Sequence, residues 1–302
     1  MIKGLLILLT LLGFGRAEAA VSLQNLRVEM LVNPVGIDIE QPALSWEIAG
    51  NERAVEQLSY QVIVSSTPEN LELDKGDLWN SGKVDSDRSI HVKYAGRLLK
   101  SGMTAYWKVK VWTSKGPSNW SKPAIWSKGL SQYKDWTGRW IGFDKYFSWN
   151  DEKSARLSAR YFRKEFATTK QVKSATASIM GLGLYELYID GKKVGDQVLA
   201  PAPTDFTQNI KYNTFDVTRQ IMPGKHAIGV ILGNGRFFEM RQSKAYKQKT
   251  FGFPKLLMQI NITYTDGSSE TIKTDQSWKG TADGPILANN EYDGEEYDAR
   301  KE

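Results

Sequence analysis

The chain has 302 residues, 41% of them hydrophobic, and a formal charge of +6 from 40 basic and 34 acidic side chains. The basic residues alternate with acids over the whole length, which excludes a nucleic-acid binder, whose cations gather on one face or element. With no cysteine, a disulfide framework, a thiolate metal site and a cysteine nucleophile are excluded together.

Residues 1–19 read as an export signal: a basic start at Lys3, an apolar run from Leu5 to Phe14, and the small-residue pattern Ala17-Glu18-Ala19. Cleavage is expected after Ala19, delivering the chain to the periplasm or to the outside. It removes Lys3, Arg16 and Glu18 and leaves 38 basic against 33 acidic side chains, or +5. The apolar run falls short of the roughly 18 residues a spanning helix needs, and no later run approaches that length. No transmembrane segment is expected.

Strand patterns follow. Alternation is clear in Tyr60 to Val64, in Tyr106 to Trp112 and in Leu256 to Tyr264, each predicted to be a half-buried antiparallel strand. Asp190-Gly191 and Asp266-Gly267 sit between such runs, and Asp-Gly favours the type I′ hairpin, whose two central residues need positive φ. Two hairpins are therefore predicted. Helical spacing is never sustained beyond about ten residues, so only short helical turns are expected, at Thr67 to Leu73 and at Val217 to Ile221. No short repeat is present, which argues against a propeller or solenoid.

A boundary is visible near residues 128–135. Before it, Pro42 to Trp46, the Tyr60 strand, the Tyr106 to Trp112 strand, Trp120 and Trp126 follow in an order that resembles a fibronectin type III or immunoglobulin-like sandwich. After it come Trp136-Thr137-Gly138-Arg139-Trp140-Ile141-Gly142 and about 160 residues of a second, larger sandwich. The fold class is thus all-β: two antiparallel β-sandwich domains, residues 20–133 and 134–302, the second of jelly-roll, lectin-like type. Nine of the ten tryptophans lie between Trp46 and Trp149. A sugar-stacking platform is one reading, and core and domain packing is the plainer one. Trp107 and Trp112 have opposite parity on one strand, so at most one of them faces the core.

The run Gly183 to Pro201 (GLYELYIDGKKVGDQVLAP), the block Tyr212-Asn213-Thr214-Phe215-Asp216-Val217-Thr218 and the segment Gly294 to Arg300 stand in this order. Together they resemble the N-terminal β-sandwich of bacterial α-L-rhamnosidases. The resemblance implies a non-catalytic region of an exported glycoside hydrolase acting on rhamnose-containing oligosaccharides or polysaccharides. It further implies a following sandwich and a C-terminal (α/α)6 catalytic barrel holding an inverting pair of carboxylates. Several hundred helical residues have no room here, so this chain is expected to stop before the barrel, to lack the domain's last strand, and to be inactive alone. Where many members place a Gly-Trp pair after the Leu-x-Pro turn, this sequence reads Ala200-Pro201-Ala202-Pro203-Thr204-Asp205-Phe206, which points to a subgroup with a different substrate.

Candidate sites are few. The tail Asn289 to Asp298 is rich in carboxylates, but neighbours so close in sequence do not flank both faces of a sugar, so it reads as structural, with Arg300 pairing one of the acids. No cofactor is required. The resemblance raises calcium, with Asp196 and Asn234 the nearest positions, although Asp after Gly and Gly-Asn-Gly are also ordinary turn chemistry. The segment Arg236 to Phe253 joins Phe237, Phe238, Tyr246, Phe251 and Phe253 to Arg236, Arg241, Lys244, Lys247 and Lys249. Its length marks a working surface for sugar or for docking the barrel, against a plain solvated basic loop. His91 and His226, one per domain, cannot form a zinc cluster and read as ordinary strand or surface residues. Rival readings are a free-standing rhamnose-binding module and a sandwich scaffold protein.

Overall fold

The computed structural model describes residues 21–144, 156–239 and 250–302. The expected export signal, Trp149, and Arg241, Lys244, Tyr246, Lys247 and Lys249 of the aromatic-basic loop lie outside the described residues. Two compact units are present, the first running to Trp126 and the second made of Ser127–Glu302 together with Val35–Asp38 and Lys100–Gly102.

In the first unit the elements run β1 (Ser22–Val28), β2 (Ala43–Ala49), β3 (Gln57–Ser65), α1 (Pro68–Glu72), β4 (Trp79–Asn80), β5 (Val84–Asp85), β6 (Val92–Lys93), β7 (Thr104–Thr113), β8 (Gly116–Pro117) and β9 (Ala124–Ser127). One sheet has the order β1-β2-β6; the other has β4-β3-β7-β8, with β5 also on β3 and β9 on β7. The tryptophan of the early strand behaves as the sandwich pattern requires. Trp46 on β2 is buried, packs edge-on to Tyr60 at 5.3 Å, and donates from its indole nitrogen to Gln57 Oε1 at 3.1 Å. The parity argument on β7 also holds, since Trp107, Val109 and Val111 are fully buried. Trp112 points outward with the ammonium groups of Lys83 and Lys110 over its ring at 4.9 and 5.5 Å. Thr67 caps α1 by accepting from Asn70 N–H at 3.2 Å, and Pro68 opens the first turn, where its missing N–H costs nothing.

The second unit contains β10 (Arg160–Thr168), β11 (Val172–Leu182), β12 (Leu184–Ile189), β13 (Lys192–Lys193), β14 (Asn213–Asp216), β15 (Gly224–Gly233), β16 (Lys255–Tyr264), β17 (Ser269–Lys273), β18 (Lys279–Thr281), β19 (Ile286–Asn290) and β20 (Gly294–Tyr297). A five-stranded sheet, β13-β12-β15-β10-β18, and a four-stranded sheet, β14-β11-β16-β17, enclose one hydrophobic core, while β19 and β20 form a separate hairpin. Phe162, Leu187, Ile228 and Val230 of the first sheet and Ile179, Met258, Ile260 and Ile262 of the second belong to it.

Both hairpins form, by different turns. Asp190 and Gly191 have φ of 50° and 76° and join Ile189 directly to its partner Lys192, as a type I′ turn requires. At the other, only Gly267 is left-handed, with φ 83°, and Tyr264 N–H donates to Ser268 O across a three-residue loop. Asp266 instead accepts from the backbone N–H and hydroxyl of Ser268 at 2.9 and 2.6 Å. That local Asx-type bonding competes with the tighter turn. The expected turn at Val217 to Ile221 is present as a single turn in which Val217 O accepts from Gln220 and Ile221. β16 departs from the expected half-burial: Leu256 to Ile260 are all buried. The Trp136–Gly142 block covers its outer side, with Arg139 N–H donating to Thr274 O and Ile141 bridging Leu256. Gln259 on that side is satisfied by Thr137 N–H at 2.9 Å and by Asp135 O at 3.1 Å.

Candidate functional site

β15 ends in Gly233-Asn234-Gly235, and a single 3-10 turn, Gly235–Phe237, leads into the aromatic-basic segment. Gly235 adopts φ 48°, and a Cβ there would approach Leu184 Cγ to 2.7 Å, so glycine is required both by conformation and by space. Asn234 is interior, 2% exposed, and holds three segments together. Its Nδ2 donates to Leu157 O at 2.9 Å and to Asn289 O at 2.6 Å, and its backbone N–H donates to Asn289 Oδ1 at 2.7 Å. Asn234 Oδ1 is buried with no hydrogen-bond partner. Asp196, the other candidate metal position, is exposed in the turn after β13. Among the described residues no group of three His, Asp or Glu side chains gathers for a cation.

The aromatic residues separate into two stacks. Phe237 lies parallel to Phe251 at 5.8 Å, and Phe206 meets both edge-on at 5.2 and 5.4 Å. Phe238 stacks on Phe253 at 5.7 Å. Phe237 is 7% and Phe238 0% exposed, so neither offers a ring face to a sugar; they anchor the segment to the second unit's interior. The substituted turn thus still supplies an aromatic group, Phe206, used for packing. Phe253 is partly buried in its stack with Phe238.

Arg236 is exposed and lies between two carboxylates, Glu291 at 3.1 Å and Glu239 at 3.3 Å. Burial pushes the Glu239 carboxyl up, while Arg236 pulls it down and Glu291 adds to the rise. Glu239 was not singled out by the sequence because one acid within a basic run carries no periodic or spacing signal. The basic charge expected here is therefore partly neutralised. Two acids at the β19–β20 hairpin are likewise engaged: Arg300 makes two 2.8 Å bonds to Asp298, and Arg156 pairs with Glu296. Hydrogen bonding from Arg300 holds the Asp298 carboxyl below its ordinary value, the reverse of what a general acid needs.

His226 on β15 is buried beside the Asp190 turn. Its Nδ1 is 2.7 Å from Asp190 Oδ2 and its Nε2 is 2.5 Å from Met222 O. Burial works to lower its pKa, but the bonds to Asp190 and Met222 raise it above the ordinary value overall. Asp190 shifts in the opposite sense: burial raises it, and the bonds from His226 and Ala227 N–H bring it below the ordinary carboxylate value. The pair clamps the hairpin turn to β15, Asp190 holding both the His226 ring and the Ala227 N–H.

Fold and sites together define two antiparallel β-sandwich units following one another along the chain. Residues 23–132 match the family model described as the Rha78A-like N-terminal immunoglobulin domain, and residues 170–302 match the α-L-rhamnosidase N-terminal domain. The chain carries these two N-terminal domains of the α-L-rhamnosidase family. It is 35% identical to an α-L-rhamnosidase of Formosa agariphila and 33% identical to one of Alteromonas sp., with 89% of this chain covered in each case. It spans 30% of the length of both relatives. Among solved structures, an α-L-rhamnosidase from Dictyoglumus thermophilum superposes with a TM-score of 0.81 at 39% identity, covering 93% of this chain and 32% of that one. One from Aspergillus terreus gives 0.80 at 31% identity over 94% of this chain and 32% of that one. No helix among the described residues is long and apolar enough to cross a membrane.

Proposed function

We propose that this chain is the non-catalytic N-terminal region of an exported inverting α-L-rhamnosidase, working beside a catalytic barrel on terminal α-L-rhamnose of plant-type glycans or glycosides. The observation that carries the reading is the pairing of the two N-terminal family domains, in order, with coverage of 30% of the relatives' length. The chemistry of the side chains supports the division of labour. An inverting glycosidase needs a protonated acid and a carboxylate about 6.5–9.5 Å apart on opposite faces of the sugar. Here Glu291, Glu296 and Asp298 are each paired with an arginine, and the Asp298 carboxyl is held below its ordinary value.

The test is rhamnose release from an aryl α-L-rhamnoside by the purified 302-residue chain. No release above buffer is expected. Turnover that disappears in a Glu295→Gln, Asp298→Asn double variant would overturn the reading by placing the reaction in this chain.

A further inference from the structure

The outer face of the five-stranded sheet holds a groove that none of the sites above explains. Alternation turns Leu187, Val230 and Phe162 into the core and leaves Glu186, Tyr188, Gly229, Ile231, Tyr161 and Arg163 on the other face. Gly229 sits in the middle of β15, the strand flanked by both β12 and β10, directly opposite Tyr188 on one side and Arg163 on the other. Glycine inside a strand weakens it relative to alanine and calls for a reason. Three ordinary reasons fail. Gly229 does not adopt the positive φ that demands glycine. The registers with β10 and β12 run through it unbroken, so it marks no bulge. A Cβ added there would meet only Tyr188 Cβ, at 3.8 Å, an ordinary contact, so packing does not exclude a side chain either. Gly233 on the same strand is different, because a Cβ there would press on Asn289 Oδ1 at 2.8 Å. The remaining reason for a strand glycine is close approach of something from outside.

The space above Gly229 is a cavity of about 390 Å³ walled by Tyr161 and Tyr188. A second cavity of about 540 Å³ lies next to it, with Glu186, Asn290, Glu291 and Glu295 in its lining. Ile231 lines both, so the two form one groove along β15. Tyr188 is fixed by its hydroxyl donating to Glu186 Oε2 at 2.6 Å, and Tyr161 by accepting from Ile286 N–H at 3.4 Å. Rings held before a ligand arrives lose little entropy on binding. An apolar notch with tyrosine walls, opening onto carboxylate and amide acceptors, matches a ring with one C–H face and several hydroxyl donors.

We infer that this groove is a saccharide-binding site, with one pyranose ring over Gly229 between Tyr161 and Tyr188 and further sugar units toward Glu295. The inference deepens the rhamnosidase reading and rests on it for the expectation that the sugar carries rhamnose. The test is calorimetric titration of the intact chain with a rhamnose-terminated oligosaccharide and with a rhamnose-free glucan oligosaccharide, repeated on Gly229→Val and the milder Gly229→Ala. The rhamnose-bearing ligand is expected to bind, to weaken about tenfold or more in Gly229→Val at unchanged thermal midpoint, and to weaken less in Gly229→Ala. Equal affinity in all three proteins overturns the groove while leaving the rhamnosidase reading intact. No binding of either sugar overturns the groove too, and is the outcome if another protein domain occupies this face. Binding of the rhamnose-free ligand alone, still lost in Gly229→Val, supports the groove and counts against the rhamnosidase reading.

Discussion

The two units fill their interiors with different material. In the first, a few large rings do most of the work: Trp46, Trp107, Trp126 and Tyr94 are all nearly or fully buried, and Tyr94 meets Trp79 and Trp126 edge-on at 5.5 Å each. In the second, the interior is mainly aliphatic, with Ile179, Leu187, Ile189, Ile221, Ile228 and Leu232 between the sheets. Indoles bring polar obligations with their area. The Trp46 N–H is met by Gln57, itself fixed by donating to Ser86 O and Arg88 O, while the Trp107 N–H is buried without a partner. An aliphatic core has no such debts, and the second unit places its buried polar junction, Asn234, where strand β15 ends. The difference teaches where each unit is vulnerable: the first at single large rings, the second at the polar staple where β15 ends.

The largest expected effect is in the first unit. Trp46→Ala removes a buried indole and orphans Gln57 Oε1, and should cost about 3–5 kcal/mol. Chemical denaturation followed by amide exchange should show the loss in β2, β3 and β7 with the second unit's core strands unchanged; a uniform loss across both units would break the comparison. Next is Asn234→Ala, which leaves Asn289 O without its donor and Leu157 O with only the longer bond from Asn289 Nδ2 at 3.4 Å, and should cost about 1–3 kcal/mol, located in the second unit. A change within error at that position would mean the junction is not the staple described above.

The smallest effect sharpens the same contrast through pH. His226 has a folded pKa above its ordinary 6.5, so the clamp contributes fully below that value. Its contribution is lost as pH rises through the folded pKa. The second unit's denaturation midpoint should fall modestly over that window, and Asp190→Asn should flatten the dependence. The Asp190 side of the pair works at the acid end: its lowered pKa gives stability present above 3.8 and lost as pH falls through the folded value. A midpoint independent of pH in the unaltered chain would sink the clamp.

Much of this was legible along the chain because it depends on neighbours in sequence. Alternation put Trp107 and Trp112 on opposite faces of one strand, a short helical turn was readable at Thr67 to Leu73, and Asp190-Gly191 specified its hairpin, since left-handed φ at two adjacent residues is a local steric demand. Asp266-Gly267 shows the limit of that logic, for Ser268 two residues on captured the aspartate and lengthened the turn.

What tertiary structure alone decided is which side chains meet across long separations. Phe237 and Phe238 read as a surface for sugar, yet Phe206, Phe251 and Phe253 draw them inward, and no local pattern records that closure. Asn234 became a junction only because Asn289, 55 residues on, comes to it. Gly229 looks like a weak point in a strand until Tyr188 and Tyr161 are seen to wall the cavity above it. The sequence by itself determined the alternation, the hairpin at Asp190-Gly191, the parity of the tryptophans and the family likeness, all written in short-range sterics and ordered motifs. The tertiary structure determined the buried polar staple, the neutralised arginine and the open notch, because burial and charge pairing are properties of surfaces that exist only once distant strands are side by side.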